Sequence, residues 1–204
     1  MNMDTRLAAI IVHDIKNALA GLEGELRALA AAPERERAEH AHGACLALQE
    51  KLVGFLTLYK ASSSQGLKAR IDAYSPQDFL DELVGHPTLN RPDVKVSIDT
   101  QDMPAVGFFD ENLVALALEA ALQNAMRFAR SAIEIGCRQK SGELVFTIRD
   151  DGPGIGAKEE TPSTGLGMNL CNVIAEAHNK GEKKGSARLT DHPAGGALFE
   201  LRLP

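Results

Sequence analysis

The chain contains no tryptophan, and aromatic residues make up only 4% of it, so there are few flat side chains on which the bases of a nucleic-acid strand could stack. Positive charge is not in surplus either. Lysine and arginine total 22 against 28 aspartate and glutamate, a formal net charge of −6. A nucleic-acid or anionic-membrane surface needs a basic stripe to displace counterions, so neither partner is expected. Cysteine is scarce: Cys45, Cys137 and Cys171 are odd in number and form no CxxC pair. That signals neither a disulfide framework nor a zinc site, and it fits a reducing cytoplasm. No apolar run approaches the roughly twenty residues of a membrane span, and no cleavage-like site follows an apolar N-terminal core. What remains is ordinary globular composition, 44% hydrophobic and 25% charged over 204 residues, enough for one large domain or two small ones.

A shift in texture near "KASSSQG", Lys60 to Gly66, divides the chain. Before it, Leu7, Ile11, Ile15, Ala18, Leu22, Leu26 and Leu29 recur at helical spacing, and after a break at Pro33 so do Cys45, Leu48, Leu52, Phe55 and Tyr59. The pattern predicts a helical hairpin over residues 1–62. Ile10, Val12, Val53 and Leu56 widen the apolar stripes, so pairing of two copies into a four-helix bundle is expected. From residue 67 to 204 short strands and helices mix. "LKARIDAY", "VKVSIDT", "SAIEIGCRQ", "GELVFTIRDD", "KGSARLT" and "GALFELRLP" read as strands, and "SPQDFLDELV", "DENLVALALEAALQNAMRFA" and residues 166–178 read as helices. Strand and helix do not alternate strictly, which predicts an α+β fold with a two-layer sandwich.

Three stretches carry chemistry. "DDGPGIG", Asp150 to Gly156, ends a predicted strand, and the carboxylate of Asp150 can accept a hydrogen bond from an exocyclic amine. "TGLGMNL", Thr164 to Leu170, opens a helix, where glycines let backbone N–H groups approach a phosphate chain and the helix N-terminus adds positive potential. On another helix, the amide of Asn124 can hold a metal ion that bridges phosphates, and Arg127 can touch a phosphate directly. Each glycine cluster alone reads equally as a tight turn, and Asn124 and Arg127 alone as solvated residues. The N-terminal stretch "LAAIIVHDIKNALAGL" adds His13 inside an apolar helical run. A neutral imidazole is a good nucleophile near pH 7. A solvated or packed histidine is the plain alternative, and Asp14 and Asn17 beside it weigh against that.

The order "HDIKN", "NAMRFA", "DDGPGIG", "TGLGMNL" and a final "FELRLP" resembles the sensor histidine kinases of two-component systems over essentially the whole chain. The resemblance implies a dimerisation and phosphotransfer hairpin followed by a catalytic domain of the Bergerat ATP-binding fold shared with gyrase, Hsp90 and MutL. It implies that His13 takes the γ-phosphoryl group of ATP, that Asp14 binds the proton on the other ring nitrogen, and that Asn17 orients water for dephosphorylation of a response-regulator aspartate. By the same likeness Asn124 binds Mg²⁺, and Asp150 accepts from adenine. Gly152 and Gly154 shape the flanking turns, and Thr164, Gly165 and Gly167 form the phosphate loop. The implied partners are a response-regulator receiver domain, a second copy of the chain, and a separate sensory protein.

The chain departs from the family pattern at three points. Four residues before Asn124 the family carries a polar group, and here stands Ala120. Glu119 is displaced by one position, a rotation of about 100°. The first glycine of the second motif is Ser163, and the segment from Ile155 to Thr164 is ten residues with no Phe. Three readings follow: an ATP-dependent histidine autokinase, a phosphotransfer or phosphatase protein with the kinase architecture and weak or no ATP use, and a nucleotide-dependent binding switch of the anti-sigma type. The intact "HDIKN" counts against the third, and the retained Asn124, Asp150 and glycines favour the first.

Overall fold

The computed structural model describes residues 3–63, 66–85, 91, 93–156 and 166–204, with side chains from residue 12 onward except that of residue 50. The chain forms two compact units, Met1–Gly66 and Leu67–Pro204. Among the described residues no helix is long and apolar enough to cross a membrane.

The first unit is a hairpin of α1 (Met3–Ala31) and α2 (Arg35–Ser62). Ala32 still donates to the Ala28 carbonyl, and the Arg37 guanidinium bonds that same carbonyl across the turn at 3.1 Å. Helix α2 begins ten residues before the apolar periodicity does, because its first turns are rich in Glu, Arg and Ala and carry the Arg35–Glu39 pair at 2.8 Å. Ala41, Leu48 and Leu58 are buried, and Ile15, Ala18, Leu22 and Leu29 are half-buried. A second apolar set remains in solvent: Val12, Leu19 and Leu26, seven residues apart on α1, with Leu52, Val53, Leu56 and Tyr59 on α2.

The second unit is a two-layer sandwich. Strands β2 (Lys95–Asp99), β4 (Ala132–Lys140), β5 (Glu143–Asp150), β8 (Ser186–Asp191) and β9 (Ala197–Leu203) form one sheet in the order β2-β4-β5-β9-β8, with only β2 and β4 parallel. Helices α3 (Pro76–Val84), α4 (Glu111–Phe128) and α5 (Leu166–Ala177) pack against it. Strand alternation puts Phe146, Ile148, Ile133, Ile135, Phe199 and Leu201 into the core. There Phe79, Phe109 and Phe146 meet edge to face with centroids 5.1 to 5.8 Å apart. Ser75 and Asp110 cap α3 and α4 by accepting from Asp78 and Leu113 at 3.3 and 3.0 Å. Ser141 and Gly142, both at positive φ, close the β4–β5 hairpin.

Three details differ from the sequence expectation. The strand expected over residues 67–74 is reduced to β1 (Asp72–Tyr74), because the Arg70 N–H is taken by the Asp110 carboxylate at 2.7 Å rather than by a ladder. Its partner β3 (Gly107–Phe109) and the small pair β6 (Asn179–Lys180) and β7 (Lys183–Lys184) are too short to leave a periodic signal. Asp110 and His178 also form a buried link that the sequence does not announce. The Asp110 N–H donates to His178 Nε2 at 3.0 Å, and His178 Nδ1 lies 2.8 Å from the Ile174 carbonyl. This joins the start of α4 to the end of α5 and requires a neutral ring.

Burial, opposed by the Ile174 hydrogen bond and the Asp110 charge, pushes the pKa of His178 below its ordinary value. The folded chain therefore binds this proton less readily than the unfolded one, where histidine titrates near about 6.5. The stability it contributes is complete above that pH and is lost as pH falls below it towards the depressed folded value. Carboxylates held low in the fold, such as Asp99, act in the same direction but only below about pH 4. Calorimetric melting between pH 7 and 5 is expected to show a falling melting temperature that His178→Gln flattens.

Candidate functional site

A cleft of about 530 Å³ opens in the second unit between α4, the turn after β5, the start of α5 and strands β8 and β9. The α4 side supplies Ala120, Asn124 and Arg127; the turn supplies Asp150, Gly154, Ile155 and Gly156; α5 supplies Gly167, Met168 and Cys171. Leu189, Ala197 and Phe199 complete an apolar wall. Five residues singled out from sequence, Asn124, Arg127, Asp150, Gly154 and Gly167, thus line one cavity although they span forty-four positions. Thr164, Gly165 and Ser163, and most of the segment between the glycine motifs, lie outside the described residues.

Asp150 is the last residue of β5 and is 7% exposed. Its Oδ1 accepts from the Gly152 N–H at 2.8 Å and from the Ala197 N–H at 3.2 Å. No hydrogen bond among the described residues uses Oδ2, so one carboxylate oxygen is fixed by backbone and the other is free for a ligand. Gly152 does not line the cleft. Its role is clearance: a Cβ there would lie 2.5 Å from the Phe128 carbonyl and 2.7 Å from Asp150 Oδ1. Gly154, at φ +85, has the same constraint against Asp191, whose Oδ1 would be 2.5 Å from an added Cβ.

Asp151, the first residue past β5, turns to the residues that follow α4 instead. It accepts from the Ser131 hydroxyl at 2.7 Å and from the Arg130 and Ser131 N–H groups at 2.8 and 3.1 Å. The Ser131 hydroxyl and then these backbone groups hold its carboxyl well below the usual range. Sequence reasoning named only the first of the two aspartates; the serine just after α4 was the available signal for the second. Asp191 was missed altogether. Cys171 faces the cleft but is no nucleophile, because burial pushes its thiol up to about 12.

The cleft can therefore take a flat apolar ring against Leu189, Phe199 and Met168, with a donor on that ring meeting Asp150 Oδ2. Arg127 and the N-terminal end of α5, where Gly167 sits in the first turn, suit an anionic tail. Among the described residues no three His, Cys, Asp or Glu side chains converge on a metal position. The donor set fits an ion held mostly by ligand oxygens and water with one protein amide, that of Asn124.

His13 belongs to the first unit and stands on α1 with its side chain 71% exposed. Asn17, one turn on, places Nδ2 3.2 Å from His13 Nδ1, and Asp14 Oδ1 is 3.8 Å from the same nitrogen. Asn17 is thus the nearer of the two to this nitrogen, and Asp14 stands just beyond hydrogen-bond distance of it. Both polar neighbours gather at Nδ1, and no hydrogen bond of the described residues reaches Nε2.

Residues 109–204 match the family model of histidine kinase-, DNA gyrase B- and HSP90-like ATPases. Over 229 aligned positions the chain is 23% identical to the sensor protein KdpD of Clostridium acetobutylicum, covering 98% of this chain and 24% of that protein. The chain thus spans about a quarter of the length of this relative. Among solved structures it is similar to the Acinetobacter baumannii histidine kinase AdeS, at TM-score 0.70 and 18% identity over 94% of this chain and 96% of that one. It is also similar to histidine kinase ThkA in complex with response regulator protein TrrA, at TM-score 0.66 and 16% identity over 98% and 61%. The fold, a helical hairpin followed by a sheet-containing domain, is the one seen in these histidine kinase structures.

The geometry around Asp150 sets a test. In Asp150→Asn the amide oxygen can still accept from Gly152 and Ala197, so the turn survives, while the group facing the cleft changes from acceptor to donor. An adenine nucleotide should lose about 1.5–3 kcal/mol of affinity by calorimetry, with the melting temperature nearly unchanged.

Proposed function

We propose that this protein is an ATP-dependent histidine kinase that phosphorylates its own His13 and exchanges the phosphoryl group with a response-regulator aspartate, a reading supported by the match of residues 109–204 to the histidine kinase-like ATPase family model and by the likeness to a sensor protein. The observation that carries the reading is the convergence of Asn124, Arg127, Asp150, Gly154 and Gly167 on one cleft, in a chain that also presents His13 in solvent with Asp14 and Asn17 beside it.

In this reading adenine's exocyclic amine donates to Asp150 Oδ2 and the ring lies on the apolar wall. Arg127 and the α5 N-terminus hold the phosphates. The Asn124 amide would hold Mg²⁺, which would supply charge neutralisation on the triphosphate. His13 Nε2 attacks the γ-phosphorus, the bond from that phosphorus to the bridging oxygen breaks, and ADP leaves with the bond's electron pair. The ring then carries an extra positive charge, which Asp14, 3.8 Å from Nδ1, offsets by accepting the Nδ1 proton after a small rotamer change. Asn17 can turn its amide to offer oxygen to Nδ1–H or to orient a water for the reverse demand, hydrolysis of the regulator's aspartyl phosphate.

The partner chemistry follows. ThkA is seen in complex with a response regulator, which supports a receiver domain as the partner of the hairpin here. The exposed Val12, Leu19 and Leu26 stripe and the Leu52, Leu56, Tyr59 stripe support a homodimer, since each Å² covered is worth about 25 cal/mol. One observation favours a second reading, phosphotransfer or phosphatase action with weak ATP use: the α4 wall of the cleft carries the methyl group of Ala120 where the family pattern has a polar side chain.

Two experiments separate these. With radiolabelled ATP and Mg²⁺ the wild type is expected to take an acid-labile, base-stable label that His13→Ala abolishes. Asn17→Ala should keep the label and slow removal of phosphate from the regulator. A wild type that takes no label from ATP but accepts it from a phosphorylated regulator supports the second reading. In sedimentation at micromolar concentration the protein is expected to be a dimer, and the pair Leu19→Glu and Leu26→Glu to be monomeric.

A further inference from the structure

The turn between β8 and β9, residues 191–196, reads from sequence as a plain connection, yet it touches the nucleotide cleft at both ends of the loop that follows β5. Asp191 and Ala197 are directly opposite each other in the β8–β9 ladder. The Ala197 N–H donates to Asp150 Oδ1 at 3.2 Å, and Asp191 Oδ1 accepts from the Ile155 N–H at 2.7 Å. One cross-strand pair therefore grips the loop where it leaves β5 and again five residues later. The glycines on the loop and in the turn fit this contact. A Cβ on Gly154 would run into Asp191 Oδ1, and one on Gly196, at φ +83, would collide with the Asp150 carbonyl. The turn is itself braced, with His192 N–H donating to the Gly196 carbonyl at 2.9 Å and Gly195 N–H to the His192 carbonyl at 2.8 Å.

We propose that Asp191 is a positioning residue of the nucleotide site: its carboxylate holds the Ile155 amide so that Gly154, Ile155 and Gly156 keep the shape of the cleft rim, and it does so as a hydrogen-bond acceptor rather than as a charge. The inference rests on the reading of the cleft as the ATP site. Asp191 touches no ligand in this account. It acts through the backbone at Ile155, while its ladder partner acts through Asp150, so the loop can neither swing out at its far end nor twist about its near end. An asparagine keeps the acceptor oxygen and removes the charge, whereas an alanine removes both.

The 204-residue chain and its Asp191→Ala and Asp191→Asn variants are compared by calorimetric titration with ATP in Mg²⁺ buffer and by amide hydrogen exchange at Ile155 without nucleotide. Asp191→Ala is expected to weaken ATP binding about tenfold and to unprotect the Ile155 amide, while Asp191→Asn restores both. Wild-type-like ATP affinity in Asp191→Ala overturns the proposal, as does an Ile155 amide that already exchanges at the free-peptide rate in the wild type. If Asp191→Ala does not fold, Asp191→Asn decides: loss of affinity or of Ile155 protection in a folded asparagine variant overturns it. A wild type that binds no ATP overturns the functional reading instead, and the amide measurement then judges the clamp by itself.

Discussion

One oxygen of Asp150 shared between two backbone N–H groups is the constraint on which the rest of the second unit's chemistry depends. A carboxylate buried at the end of a strand is costly unless its lone pairs are met. Here Gly152 and Ala197 meet those of Oδ1, and what is left over is directed into the cleft. The same strand end sends its neighbour Asp151 to Ser131. Two identical side chains, adjacent in sequence, thus do different work because successive residues at the strand end project to different sides: one lines the cleft, the other ties the residues after α4 to the start of the loop. The glycines around them are there for clearance rather than for mobility, since the Phe128 carbonyl and the Asp191 carboxylate occupy the space a Cβ would need.

The legible part of the fold was whatever depended on period and capping. Ser75, Pro76 and Asp110 marked two helix starts, alternation marked β2, and the turn at Ser141 and Gly142 marked the β4–β5 hairpin, because each is a local signal of several residues. What stayed hidden was non-local. The shortening of β1 depends on Asp110 taking the Arg70 amide across forty positions, and the Asp110–His178 link spans sixty-eight. Neither is visible without the tertiary neighbours. The site divides in the same way. Asn124, Arg127, Asp150, Gly154 and Gly167 stood in motifs and could be named from sequence. Asp191 stood in a run, "DHPAGG", whose composition says only that the chain turns. Around His13, Asn17 lies nearer the ring than Asp14, because helical residues four apart stack along one face while adjacent ones diverge, a distance that no motif prints.

The hairpin shows how one pair of helices can carry separate surfaces. Ile15, Ala18, Leu22 and Leu29 turn towards α2, while Val12, Leu19 and Leu26 form a second stripe, rotated from the first. His13 and Asn17 lie on a third sector, about 100° or more beyond that stripe. Covering the second stripe would leave the imidazole in water, so a partner helix on that stripe would not occupy the side of α1 that carries His13.

The braced turn over residues 191–196 has a consequence for how this sequence can vary in length. Its two strand ends are committed to Asp150 and Ile155, and Gly196 sits against the Asp150 carbonyl, so an added or deleted residue would slide the ladder and carry the cleft with it. The β4–β5 turn at Gly142 and the β6–β7 turn at Gly181 have open space around them and hold nothing in the cleft. Insertions and reporter peptides are expected to be tolerated at those two turns, and the hairpin that looks most like filler is the one whose length is constrained.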